Sequence, residues 1–174
     1  MKVLDKIQLA QQSLRTLAVN ESKREIAIGT SDNTIKIISL VDLSTKHSLN
    51  AHDNSVFTLC YNPEFNILLS AGRDAHLKFW DVDAGYLLLE DIIAHMFAIN
   101  NIAFSPDGKH FVTCSMDKSI KVWDAERIRL LKVIDKARHA GHGTSVNKLL
   151  WADYKNQLIS ASDDRTISTW DLKF

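Results

Sequence analysis

Residues Ser115 to Asp124 read SMDKSIKVWD, and close variants of that phrase stand at three other places in the chain. Gly72 to Asp81 read GRDAHLKFWD, Ser162 to Asp171 read SDDRTISTWD, and Thr30 to Ser39 read TSDNTIKIIS. The aspartate at the third position of each phrase is Asp32, Asp74, Asp117 or Asp164, at intervals of 42, 43 and 47 residues. Six residues beyond it stand Ile38, Trp80, Trp123 and Trp170; twenty-two before it stand Ala10, His52, His95 and His142. Four residues before it stand Ile28, Ser70, Thr113 and Ser160. Three units therefore carry His, Ser or Thr, Asp and Trp at identical spacing, and a first unit keeps only the aspartate. Self-similarity at a fixed period is the mark of a repeat architecture.

Between the marker aspartates the residues read as strands. SVFTLCYN, NILLSAG, AHLKFWDV and YLLLEDII are short runs rich in β-branched, aromatic or aliphatic residues, separated by turn chemistry in NPEFN, GRDA and DAG. The third unit repeats the scheme as INNIAFS, HFVTCS, SIKVWD and LLKVID, with SPDGK as its first turn. No run has helical periodicity. Four strands in roughly 40–45 residues, ending in Trp-Asp, describe one blade of a β-propeller. On these residues the chain resembles the WD-repeat (WD40) β-propeller family, along essentially its whole length and most specifically in units two to four. The expected fold is all-β: four four-stranded blades, forming a half or partial propeller. The repeats run approximately over 1–42, 43–84, 85–129 and 130–174.

The resemblance implies roles. In that family the recurring residues form a hydrogen-bonded structural tetrad in each blade, here His52–Ser70–Asp74–Trp80, His95–Thr113–Asp117–Trp123 and His142–Ser160–Asp164–Trp170. A buried carboxylate at a tight turn needs several donors, and the histidine and backbone amides supply them. In the first unit Ala10, Ile28 and Ile38 are apolar, so Asp32 must find other partners and that blade should be less rigid or held mainly by its neighbours. The family's sequence unit also begins with the outer strand of the preceding blade. KVLDKIQL reads as such a strand, and ISTWDLKF as the third strand of the fourth blade. An open edge of this kind invites pairing. Three arrangements would supply the partners: closure of four blades on themselves, two chains joined head to tail into an eight-bladed ring, or four blades of a longer ring.

Composition narrows the function classes. Hydrophobic residues make up 45% and charged residues 24%, as in ordinary globular proteins, and 21 basic residues balance 21 acidic ones. That balance argues against a generic nucleic-acid or anionic-membrane binder. Cys60 and Cys114 lie in apolar strand-like runs and read as small hydrophobes rather than a disulfide framework. MKVLDKIQLA carries charge every few residues and lacks a signal-peptide core, and no stretch approaches the roughly 20 apolar residues of a membrane span. A cytoplasmic, soluble protein without cofactor or metal is the expectation.

Several motifs invite chemistry and fail to sustain it. His52, Ser70 and Asp74 have the residue types of a catalytic triad, but the trio recurs with an attendant tryptophan and without a G-x-S-x-G elbow. RHAGH at Arg138–His142 offers two histidines without a second pair of zinc ligands. SKRE and ERIRLLK mix basic residues with acids or apolar residues and read as solvated surface, while Trp151 occupies the core position of Tyr61 and Phe104. The resemblance directs attention instead to the wide face at the channel mouth, where propellers usually take protein or peptide partners. Its positions flank the first inner strand and precede the tetrad aspartate: Ser13, Arg15 and Ser31; Ser55, Phe57 and Arg73; Ala98, Asn100 and Met116; Ser145, Asn147 and Asp163. Aromatic, methionine and arginine side chains are enriched in interface cores, so Arg15, Phe57, Arg73 and Met116 lead, with Asn100, Asn147 and Asp163 beside them. The expected activity is a non-catalytic scaffold or adaptor; a homodimer joined through open blade edges is the alternative, and a propeller enzyme the remaining one.

Overall fold

The computed structural model describes residues 2–62, 64 and 66–173, which form four antiparallel sheets. Blade 1 comprises β1 (Leu14–Asn20), β2 (Glu25–Thr30), β3 (Thr34–Ser39) and β4 (Thr45–Asn50). Blade 2 comprises β5 (Val56–Asn62), β6 (Ile67–Gly72), β7 (His76–Asp81) and β8 (Leu87–Ile93). Blade 3 comprises β9 (Ile99–Phe104), β10 (His110–Ser115), β11 (Ile120–Asp124) and β12 (Arg129–Ile134). Blade 4 has three strands, β13 (Val146–Ala152), β14 (Gln157–Ser162) and β15 (Ile167–Trp170). Within every sheet the strands lie side by side in chain order, and the innermost strands adjoin as β1, β5, β9 and β13. The architecture is a partial β-propeller.

The marker aspartates explain the hairpins between second and third strands. The following residue takes left-handed backbone in every unit: Asn33 at φ 71°, Ala75 at 66°, Lys118 at 74° and Arg165 at 68°. Only Asn33 suits that region well, because its short amide side chain can hydrogen-bond the local backbone; the other side chains are strained there by about 1–2 kcal/mol. The carboxylate supports the turn by accepting the backbone N–H two residues on, from His76 at 3.2 Å, Ser119 at 2.9 Å and Thr166 at 3.0 Å. In blade 1, Asp32 also takes the hydroxyls of Thr30 and Thr34, while Ile28 and Ile38 fill the vacated serine and tryptophan positions in the interior.

The core lies between blades. Leu68, Trp80 and Val82 of blade 2 pack on Ala27, Ile35 and Ile37 of blade 1, whereas Leu69, Leu77 and Phe79 face Ile99, Ile102 and Phe111 of blade 3. Phe111 lies 6.0 Å from Phe79 across that boundary and stacks on Trp123 at 5.9 Å within its own blade. Each such side chain contributes about 1.5–3 kcal/mol by leaving water. A third cluster, around Val112, Val122, Leu149 and Trp151, joins blades 3 and 4.

Polar links cross the same boundaries. The Tyr86 hydroxyl donates to buried Glu25 at 2.7 Å, pairs with Tyr61 at 2.8 Å, and leaves Glu25 to Lys46 at 2.6 Å. Burial opposes the Glu25 charge, but the Lys46 and Tyr86 hydrogen bonds outweigh it and lower the carboxyl pKa. Asn101 on β9 donates to Thr58 on β5 at 3.4 Å and accepts from Leu149 N on β13 at 2.9 Å, stitching three innermost strands together.

Two expectations need correction, and one of the three arrangements is set aside. Residues 2–13 form no strand, and Val3 and Leu4 stand 75% and 87% exposed. Without a neighbouring ladder to complete, an extended segment has no reason to leave water. Nor do the four blades close on themselves: among the described residues, blades 4 and 1 lack the strand packing that joins consecutive blades. The connection between blades 3 and 4 holds a short helix, α1 (Lys136–His139), capped by the Asp135 carboxylate, which accepts from Arg138 N at 2.8 Å. Among the described residues no helix is long and apolar enough to cross a membrane.

Candidate partner-binding face

The geometry of the recurring quartets sets the shape of one face. In blade 2, His52 Nδ1 lies 2.9 Å from Asp74 Oδ2 and its Nε2 lies 2.8 Å from Ser70 Oγ, which accepts the Trp80 indole N–H at 2.9 Å. Blade 3 repeats this with His95–Asp117 at 2.9 Å, His95–Thr113 at 2.8 Å and Trp123–Thr113 at 3.0 Å. Blade 4 gives 2.9 Å for His142–Asp164, 2.8 Å for His142–Ser160 and 2.8 Å for Trp170–Ser160. The tautomer follows from the partners. A carboxylate only accepts, so Nδ1 carries the proton, and the hydroxyl, already accepting from the indole, donates to Nε2.

The hydroxyls of the quartets are enclosed. Ser70, Thr113 and Ser160 are 0% exposed, and each hydroxyl is committed at both ends. A nucleophilic serine needs an oxygen open to its substrate, and these oxygens are not exposed. Burial works against the charge on Asp117, but the His95 and Ser119 hydrogen bonds dominate and hold its carboxyl well below the usual range. Burial lowers the His95 pKa despite the attraction of Asp117, so the ring stays neutral near pH 7. His142 of the RHAGH motif belongs to its quartet and His139 is exposed at the end of α1.

The aspartates also hold the loops that enter each blade. Asp74 accepts Asp53 N, Asp117 accepts Met96 N and Asp164 accepts Gly143 N, each at 3.1 Å. Each entry loop is thereby tied to the hairpin turn beside it, and together they form one face of the blade array.

On that face most of the named positions form two contiguous rows. Arg15 Nε donates to Ser31 Oγ at 2.6 Å within blade 1, and its guanidinium lies over the Phe57 ring of blade 2, 5.9 Å from the centroid. At the other end, Asn100 Nδ2 of blade 3 reaches Ser145 Oγ at 3.0 Å and Val146 O at 2.8 Å, and Asn147 donates to Asp163 at 2.5 Å. Arg73 and Met116 stand exposed between the rows. Two named positions do not reach the surface: Ser55 is 7% and Ala98 4% exposed. Their carbonyls accept Arg73 N and Met116 N, each at 3.0 Å, but exposed Ser13 makes the same bond to Ser31 N; Ser55 and Ala98 are buried because blades 2 and 3 are packed by a neighbour on each side. Sequence reasoning passed over Met96 and Phe97, which follow the blade 3 histidine and are 82% and 60% exposed.

Comparison with known proteins now adds to this geometry. The family described as "WD domain, G-beta repeat" matches residues 43–81, 88–124 and 134–171, leaving out the first, quartet-poor unit. A 66 kDa stress protein of Physarum polycephalum is 28% identical over 86% of this chain, which covers 24% of that relative. Cilia- and flagella-associated protein 52 of Bos taurus is 27% identical over 94% of the chain, covering 25% of it. Nuclear distribution protein nudF of Aspergillus niger is 30% identical over 78%, covering 30% of it. The chain thus spans about a quarter to a third of the length of these relatives. With three units matched and all four folded as antiparallel blades, this chain belongs to the WD-repeat family.

Proposed function

We propose that this blade array is a non-catalytic scaffold whose turn-bearing face binds a protein or peptide partner. WD-repeat proteins act generally as protein-interaction scaffolds, and the names of the relatives share no narrower role. The carrying observation is the row Ser31–Arg15–Phe57, in which a guanidinium and an aromatic ring from two blades are positioned at the surface over turns fixed from below. Rigid arginine and aromatic groups of this kind lose little entropy on contact. The same reading sets the protein in the cytoplasm, where its two free cysteines stay reduced. Phe57→Ala combined with Arg73→Ala should abolish partner capture from the native source while the melting temperature changes little. Capture that survives both changes contradicts the proposed face.

Exposed apolar residues on the two outward sheets favour a second role in assembly. Leu150 and Ile167 of blade 4 are 60% and 74% exposed, although they occupy the positions of Cys60 and Leu77, which in blade 2 pack toward blade 3. On blade 1, Leu17 and Val19 are 65% and 44% exposed where Leu59 and Tyr61 pack in blade 2. In this reading further blades cover both faces, from a second copy joined head to tail or from a longer chain. Solution mass separates the two: a stable dimer that Ile167→Lys disrupts supports the copy, and a monomer excludes it.

A further inference from the structure

Blade 3 departs from its siblings on the turn-bearing face. After the quartet histidine, blade 2 has Asp53 and Asn54, blade 4 has Gly143 and Thr144, and the first unit has Gln11 and Gln12 at the matching positions. Blade 3 has Met96 and Phe97. Immediately before the marker aspartate the siblings carry Ser31, Arg73 and Asp163, and blade 3 carries Met116. The fold does not ask for apolar residues there, since the siblings make the same turns without them.

The three side chains are 82%, 60% and 53% exposed, yet the backbone beneath them is fixed. Met96 N donates to Asp117, Ser115 Oγ donates to Phe97 O at 3.0 Å, and Met116 N donates to Ala98 O at 3.0 Å. These bonds place residues 96–98 directly beside 115–116, so the three form one apolar patch. Single exposed hydrophobes are ordinary, but a contiguous patch on pinned loops marks an interaction site. Methionine adapts to varied shapes, while the aromatic ring gives a firm contact.

Charge around the patch selects what sits on it. Arg73 is exposed and, among the described residues, has no ion-pair partner; Lys118 is exposed next to the blade 3 turn, and Arg15 lies beyond in blade 1. Asp74 and Asp117 spend their oxygens on histidine and backbone donors; Asp53 of blade 2 and Asp163 of blade 4 are the exposed carboxylates nearby, and Asp163 already accepts from Asn147 at 2.5 Å. We propose that Met96, Phe97 and Met116 form the docking point for a short peptide segment carrying a leucine, methionine or aromatic residue near one or two acidic residues. The apolar residue seats on the blade 3 patch and the acid meets Arg73. This deepens the scaffold reading above and depends on it.

The test is selection of a phage-displayed random twelve-residue peptide library on the intact protein. Enriched peptides should combine an aromatic or large aliphatic residue with Asp or Glu. Fluorescence polarisation should then show them weakened by roughly tenfold or more in Met96→Ser/Phe97→Ser/Met116→Ser, with an unchanged thermal melt. Phe97→Ser alone serves if the triple variant melts early. Peptides that bind this variant normally but lose affinity in Phe57→Ala/Arg73→Ala overturn the blade 3 site and leave the face standing. Peptides indifferent to both variants, or no enrichment at all, overturn both. Vesicles containing phosphatidylserine provide the other arm: capture by vesicles without peptide enrichment assigns the patch to a membrane and contradicts the proposal.

Discussion

The Arg15 guanidinium of blade 1 lies over the Phe57 ring of blade 2, 5.9 Å from its centre. This contact spans a blade boundary at the surface, where water competes for the cation and the stabilisation is about 0.5–1 kcal/mol. Arg15→Ala should therefore lower stability by no more than about 1 kcal/mol while weakening partner capture much more. Thermal melts paired with capture assays check the asymmetry. A large stability loss with unchanged capture would make the pair a structural clasp.

The quartets behave differently because they are interior. Trp123 is 5% exposed, stacks on Phe111 and donates to Thr113. Trp123→Ala should cost about 3–5 kcal/mol by opening a cavity. Thr113→Val keeps the volume but strips both the indole and the imidazole of a partner, at about 1–3 kcal/mol each way the loss is counted. Denaturant melts of the two variants are the measurement, and near-wild-type midpoints would remove the argument for blade 3.

Acidification should destabilise the fold in two stages. The His95 pKa lies below its ordinary 6.5, so as pH falls below that value the unfolded chain takes the proton first and the native state loses ground. The Asp117 and Asp74 carboxyls lie below their ordinary 3.8, so their contribution is present at higher pH and disappears as pH falls through and below that value. Both effects share a sign. Melting temperatures recorded from pH 7.5 to 3 should decline gently below about 6.5 and steeply below about 4. A rise between pH 7 and 5.5 would contradict the neutral, buried assignment of His95.

Lys118 holds left-handed backbone at φ 74° with an exposed side chain. Glycine takes that conformation without Cβ strain, although it gives up more freedom on folding. Lys118→Gly should stabilise the protein by about 0.5–1 kcal/mol, while Ser119→Gly, which removes a hydroxyl bonded to Asp117, should destabilise it. Chemical denaturation of both variants provides the comparison.

The repeat arithmetic made most of the architecture legible, because His, Ser or Thr, Asp and Trp at fixed offsets mean one thing four strands at a time. The strand runs of blades 2 and 3 matched their segments closely, from NILLSAG as β6 to LLKVID as β12. What stayed hidden has physical reasons. The link from Glu25 to Tyr86 joins residues 61 apart, and only the packing of blade 1 on blade 2 brings them together. KVLDKIQL has a strand's composition, but a strand needs a neighbour, and no ladder among the described residues includes this segment. Ser55 and Ala98 sit at positions that point to a surface by register, yet blades 2 and 3 have a neighbour on each side and that packing encloses them. Met96 and Phe97 carry no repeat signal, because they stand where blade 3 differs from its siblings rather than where the units agree.

The central claim is that partners bind on the face built by the aspartate turns and the entry loops. Hydrogen exchange with and without a captured partner tests it most directly. The account predicts new protection in residues 29–33, 53–58, 72–76, 96–102 and 115–119, with the outer strands β4, β8 and β12 unchanged. Protection confined to those outer strands, or to the opposite hairpin ends around Asn20 and Lys109, would contradict it.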